Sequence, residues 1–231
     1  MVKICYSKST MRKSVLTIGE VYHIFTRSIA DYIVFNNDSE FDHMWQLIRY
    51  FKVENGIKFS DFLELKIVRQ EGFNNACNIL FKDNKELVQI IAYCFMPTHI
   101  HLVLKQLEDN GISKYIKDIL ISYTRYFNTQ HGRKGPLWES RFKSVLVNNN
   151  EQLLHLTRYI HLNPVTAKFV NKPYEWFNSS YKEYIADVVD NSKVCQFSDL
   201  LEIQPSMYSK FVNNQIAYQR ESAKIKKLLL E

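Results

Sequence analysis

Leu87 to Lys105 reads LVQIIAYCFMPTHIHLVLK. The first ten residues are a nearly unbroken apolar run that stops at Pro97, and a second apolar run begins at once with His99. Joined by Met96-Pro97-Thr98, the two read as strands of an antiparallel hairpin. Strands this apolar are buried, so the hairpin is expected at the centre of a sheet. Residues two apart in a strand point to one face, so His99 and His101 project together while Ile100 goes into the core.

On the N-terminal side, Glu20 to Ser28 alternates and is rich in β-branched and aromatic residues, which is a strand pattern. Ser39 to Val53 has Phe41, Met44, Trp45, Leu47, Ile48 and Phe51 at helical spacing, with Ser39 or Asp42 as the candidate cap. Lys58 to Lys82 is ambiguous and fits one or two short helices. On the C-terminal side, Asn110 to Thr129 is helical until Gly132 and Gly135-Pro136 break it. Arg141 to Asn148 reads as a strand, and Glu151 to Leu162 as a helix stopped by Asn163-Pro164. The order β-α-β-β-α-β-α predicts an α+β domain with a central antiparallel sheet backed by helices. The expected organisation is an N-terminal extension over 1–18, this domain over 19–186 and a short helical tail over 187–231, without internal repeats.

The 231 residues are 46% hydrophobic and include 15 Phe and 14 Tyr, enough to fill a core and to argue against disorder. The net charge of +6 favours a polyanionic partner, modestly. Its placement says more. Ile112 to Val147 holds seven basic residues (Lys114, Lys117, Arg125, Arg133, Lys134, Arg141, Lys143) against Asp118 and Glu139, whereas Ser28 to Pro97 holds seven basic against ten acidic. Cys5, Cys77, Cys94 and Cys195 are far apart and form no CxxC pair, so neither a zinc knuckle nor a dense disulfide framework is indicated and a reducing interior fits. Lys3, Lys8, Arg12 and Lys13 precede no apolar segment, and no apolar run approaches the ~18 residues that span a bilayer. The expectation is a soluble, cytoplasmic protein with no membrane partner.

Two neutral imidazoles side by side make half of a divalent-metal site. The plainer alternative has one histidine capping a turn and the other incidental. Tyr159 and Asn163 lie four apart on the predicted helix and share a face. A phenol beside an amide oxygen could set a nucleophile next to a metal, with Asn163 as third ligand and positions left open for a substrate oxygen. The plainer alternative for Tyr159 is an aromatic half-buried on the sheet. His131 and His161 are expected at the surface, His161 turned away from Tyr159, and His23 is a weaker candidate to approach the site.

Four segments taken together resemble a known family. They are Met96 to Val103 (MPTHIHLV), Ser122 to Asn128 with Gly135 to Phe142 (SYTRYFN, GPLWESRF), Tyr159 to Val165 (YIHLNPV), and Trp176 with Ser179-Ser180-Tyr181. In this order they are similar to the motifs of REP-associated tyrosine transposases and their insertion-sequence relatives, within the HUH endonuclease superfamily. The resemblance implies an HUH/ferredoxin-like fold with His99 and His101 as metal ligands, Asn163 as third ligand and Tyr159 as nucleophile. Insertion-sequence relatives carry Gln where this chain has Asn163; either amide oxygen can coordinate a hard cation. The implied reaction cuts single-stranded DNA with Mg²⁺ or Mn²⁺, forms a 5′-phosphotyrosine and frees a 3′-OH that can attack again to join strands. The phosphotyrosine conserves the bond energy, so no ATP or other small-molecule cofactor is implied. The chain departs from the family in a longer Val53–Asp83 segment and in lacking the small N-terminal motif some members use for hairpin recognition.

The expected partner is single-stranded or hairpin DNA, bound by a monomer or homodimer. Arg125, Arg133, Lys134, Arg141, Lys143 and Arg158 are candidates to follow its backbone, and Tyr123, Tyr126 or Trp138 to stack on its bases. The plainer alternative puts these aromatics in the core and these charges in solvent. Three other functions compete: a catalytically silent relative that only binds structured nucleic acid, a metal-dependent hydrolase, and a replication-initiation or relaxase enzyme. The hydrolase is disfavoured by the lack of a carboxylate at a matching position near His99 and by the basic stripe, the third by the Tyr159–Val165 segment.

Overall fold

The hairpin forms as β2 (Val88–Met96) and β3 (His99–Gln106), and all nine β2 residues are buried. In this computed structural model, which describes residues 15–139, 141–189 and 192–228, the sheet is completed by β1 (Val21–Arg27) and β4 (Lys143–Val147). The order is β2-β3-β1-β4 and each neighbouring pair is antiparallel. β1 and β2 therefore run the same way with β3 inserted between them, the split β-α-β arrangement of ferredoxin-like folds. The α+β class is as expected.

The hairpin is not central, however: β2 is an edge strand. It tolerates an apolar sequence because later segments cover its free edge. Phe95 N donates to Asn178 O at 2.9 Å, Ser180 N to Tyr93 O at 3.0 Å and Gln196 N to Ile90 O at 2.8 Å. The backbone beyond residue 176 thus does what a neighbouring strand does elsewhere.

One face of the sheet presents Tyr22, Ile24, Ile90, Phe95, Ile100, Leu102 and Leu104 to α1 (Asp38–Tyr50) and α4 (Gly111–Gln130). The cap of α1 is Asn37, whose side chain accepts from Glu40 N at 3.1 Å; Ser39 and Asp42 lie inside the helix. Asn37 has the extended backbone a cap needs. The long Val53–Asp83 segment forms α2 (Phe59–Leu63) and α3 (Lys66–Leu80), the latter kinked at Gly72 with φ 78°. Its base is pinned by Leu87 N donating to Lys52 O at 2.8 Å. Tyr50, Phe59, Phe62 and Phe81 pack there with ring centroids 5.0 to 5.5 Å from Tyr50, so the insert extends the core behind α1.

The other face is covered by α5 (Asn150–Thr166), capped by Asn149, which accepts from Gln152 N at 2.8 Å. Asn163-Pro164 does not stop this helix. Proline forfeits one helical bond, but Pro164 is buried and Val165 is fully so, and that packing carries the helix another turn. After α6 (Tyr181–Tyr184), the helices α7 (Pro205–Asn213) and α8 (Ile216–Leu228) pack along α5, burying Tyr208 and Val212. The segment expected as a tail is thus part of the second core. Leu16 is buried as well; residues 1–14 of the expected extension, with Cys5 and its four basic residues, lie outside the described residues. Cys77, Cys94 and Cys195 are buried free thiols. Among the described residues no helix is long and apolar enough to cross a membrane.

Candidate active site

Strand alternation decides what faces α5. In β1, Tyr22 and Ile24 are buried toward α1 and α4, which turns Val21, His23 and Phe25 to the opposite face. In β3 the same rule turns His99, His101 and Val103 that way. α5 packs across β2. Between it and strands β3, β1 and β4 lies a cleft of about 580 Å³, inside the ~300–1,000 Å³ range of ligand clefts. Its walls are His99 and His101 from β3; His23, Phe25 and Arg27 from β1; Glu139, Arg141 and Lys143 at and before β4; and Tyr159 and Asn163 from α5.

The structure therefore brings together His99, His101, Tyr159, Asn163, Arg141 and Lys143, as the sequence led one to expect. The His99 and His101 rings are 5.1 Å apart and nearly perpendicular, and the Tyr159 ring stands edge-on to His101 at 6.3 Å. Tyr159 is 45% exposed, so its phenol is open to the cleft. Thr98 Oγ1 lies 3.0 Å from Nδ1 of His99, and Nε2 of His23 lies 2.9 Å from Nδ1 of His101.

Burial sets the protonation states. It pushes His99 down to about 4, helped by the nearby Arg27 charge, and His23 to about 4. His101 is held well below its ordinary value by burial first, then by His23, His99 and Arg27. All three rings are neutral at pH 7 and keep a lone pair. Burial pushes the Tyr159 phenol up, so it rests protonated.

Among the described residues no three His, Cys, Asp or Glu side chains converge on a metal position. A cation here would need a third donor of another kind, and Asn163 is the residue in the cleft that could supply one. Its Nδ2 is buried with no hydrogen-bond partner among the described residues. An amide flip exchanges that orphaned N–H₂ for the carbonyl oxygen, which a cation would satisfy. Two neutral imidazoles and an amide oxygen suit a divalent ion with positions left open. The residues fit the group.

Other candidates are not brought together. Trp138 is 8% exposed and Tyr123 is fully buried, each packed with Phe35, and neither offers a face to a base. Arg125 and Tyr126 line a separate hollow between α1, α2 and α4, on the far face of the sheet, where Tyr126 stacks on His43 at 3.7 Å. Arg133 is spent inside its own loop, donating to Asn128 Oδ1 and Pro136 O and covering Tyr32. Lys134 is exposed on that loop. Arg158 covers Phe211 at 4.2 Å and so faces α7, not the cleft.

His131 is at the surface as expected, 2.6 Å from Glu40. His161 is not: it is fully buried, between Tyr208 and Ser180. The side of α5 turned away from Tyr159 meets α6 and α7 rather than solvent. Arg27 and Glu139 are cleft residues that the sequence did not single out, and His23, the weaker candidate, does reach the cleft. The alternation of Val21-His23-Phe25 against Tyr22-Ile24-Thr26 was a usable signal for His23, but only once β1 was known to lie beside β3. Glu139 also puts a carboxylate in the cleft wall, though not in a convergent set with the histidines.

The histidine pair on a central strand thus faces a helix that carries Tyr159 and Asn163 one turn apart. Residues 66–163 match the family of IS200-like transposases, a span that contains His99, His101, Tyr159 and Asn163. A Haemophilus influenzae protein described as a REP-associated tyrosine transposase is 28% identical over 103 residues, which are 40% of this chain and 58% of that relative. The match thus spans little more than half of the relative's length. The solved structure of a REP-associated tyrosine transposase bound to a REP hairpin shares the fold, with a TM-score of 0.50 over 85% of this chain and 99% of that one at 17% identity. The resemblance carried by the motifs is borne out as a similarity: residues 66–163 are similar to the IS200-like transposases, and the chain shares its fold with a REP-associated tyrosine transposase.

Proposed function

We propose that this protein cuts and rejoins single-stranded DNA through a covalent bond to Tyr159. The observation that carries the reading is the position of the Tyr159 ring, open to the cleft and 6.3 Å from His101, with Asn163 one helical turn away. The relative solved with a DNA hairpin supports the choice of a hairpin-forming strand as substrate.

Tyr159 Oη attacks the phosphorus; the Oη–P bond forms and the P–O3′ bond breaks. The phenol loses its proton and the departing 3′ oxygen gains one, so the exchange balances without water or a further reactant. A phenolate with an ordinary pKa near 10 is a competent nucleophile and, on reversal, a competent leaving group. Arg27, Arg141 and Lys143 line the cleft and supply the positive field for the phosphates on either side. His99, His101 and Asn163 would hold Mg²⁺ or Mn²⁺. When bound, the ion polarises the scissile phosphate and offsets charge that develops on it.

The test is incubation with Mn²⁺ and a labelled single-stranded hairpin taken from beside the protein's own gene. A denaturation-resistant protein–DNA adduct is expected, absent in Tyr159→Phe and in His99→Ala. An adduct that survives Tyr159→Phe sinks the assignment. DNA binding with no adduct on any hairpin points instead to a silent binding protein.

A further inference from the structure

His23 belongs to the cleft but has no part in the reaction as written. In the β1–β3 register His23 sits opposite Val103 and Phe25 opposite His101. His23 and His101 are thus diagonal neighbours on one face, a separation long side chains can bridge. They do so: Nε2 of His23 is 2.9 Å from Nδ1 of His101, with ring centroids 5.2 Å apart and planes inclined by 21°. Phe25 lies against both, 5.0 Å from His23 and 6.0 Å from His101. This is a built contact between two neutral rings.

One proton lies between those two nitrogens, and its side matters. If His23 donates, His101 carries its own proton on Nε2 and turns an N–H into the cleft. If His101 donates from Nδ1, its Nε2 lone pair is free for the cleft. Histidines that ligate metals commonly donate their other ring N–H to a neighbour, which fixes tautomer and ring orientation. His99 has the matching arrangement, with its Nδ1 3.0 Å from the Thr98 hydroxyl.

We propose that His23 is a positioning residue for His101: by accepting from Nδ1–H it holds His101 in the tautomer and orientation that present Nε2 to the cleft. This rests on the reading of His99, His101 and Asn163 as cation ligands. It adds that the site has an outer support, on the neighbouring strand, without which His101 is a poor donor.

The direct test is long-range imidazole ¹H–¹⁵N spectroscopy of the metal-free protein. His101 is expected protonated at Nδ1 with a bare Nε2; finding the proton on Nε2 overturns the proposal. Mn²⁺ titration calorimetry gives the second readout. His23→Phe keeps a ring but removes the acceptor, and is expected to weaken Mn²⁺ by about 10–100-fold. His23→Gln, whose Oε1 reaches the same place, is expected to recover most of that loss. A His23→Phe protein that binds Mn²⁺ like the wild type also overturns it. If the wild type itself binds no Mn²⁺, the metal reading of the site falls, and the tautomer seen in the free protein still decides the role of His23.

Discussion

Nδ1 of His161 lies 2.7 Å from the hydroxyl of Tyr208, so α5 and α7 are joined by a buried hydrogen bond. The bond is one of a directed set. Tyr208 donates to Thr157 Oγ1 at 3.0 Å, and Thr157 donates to Leu154 O at 2.9 Å. Tyr208 therefore accepts from His161 Nδ1–H, and His161 Nε2 lies 2.8 Å from Ser180 Oγ.

Removing one hydroxyl should expose the cost of that arrangement. Tyr208→Phe leaves the His161 N–H buried and unpaired, which should destabilise the fold by about 1–3 kcal/mol. Urea unfolding followed by circular dichroism measures it. A Tyr208→Phe protein as stable as the wild type would show that water replaces the hydroxyl.

Acid should weaken the protein through its buried histidines. Burial pushes His161 down to about 3, and His23, His43 and His99 to about 4. In the unfolded chain each titrates near 6.5. Below that pH the unfolded state binds protons that the folded state refuses, so the stability present above 6.5 is lost as pH falls toward 4. Each histidine adds up to about 1.4 kcal/mol per pH unit within that window. Urea midpoints measured without metal between pH 7.5 and 5 check it, and His161→Gln should flatten the slope.

Salt dependence should sort the basic residues. Arg141 and Lys143 are exposed beside the cleft, so replacing either with Ala should lower the slope of log affinity against log salt for single-stranded DNA by about 0.7. Arg133→Ala should leave that slope unchanged and loosen its loop, because the guanidinium is already bonded to Asn128 and Pro136. An equal fall for all three would place the DNA path over the 133–136 loop.

The start of α5 should matter for stability in a measurable way. Asn149→Ala removes the acceptor for Gln152 N and should cost about 1 kcal/mol in urea unfolding, while Asn149→Asp should keep nearly all of it. A loss shared by both variants would mean that the amide, not the cap, is what counts.

Local pattern carried much of this protein. The hairpin around Pro97, the shared face of His99 and His101, and the one-turn spacing of Tyr159 and Asn163 follow from periods of 2 and 3.6 residues, which depend on nothing beyond the neighbouring backbone. What the sequence could not settle is which element lies beside which. β2 reads as a central strand, because burial by a neighbouring strand and burial by the 178–196 backbone leave the same apolar signature. His161 reads as a surface residue, because the far side of α5 is solvent until α7 is known to lie there. Pro164 reads as a stop, because the packing that carries the helix past it comes from residues remote in sequence. The contact of His23 with His101 needs β1 to be paired to β3 in one register across 78 residues of chain. Only the tertiary structure decides such pairings, since they are set by the packing of distant faces rather than by local conformational preference.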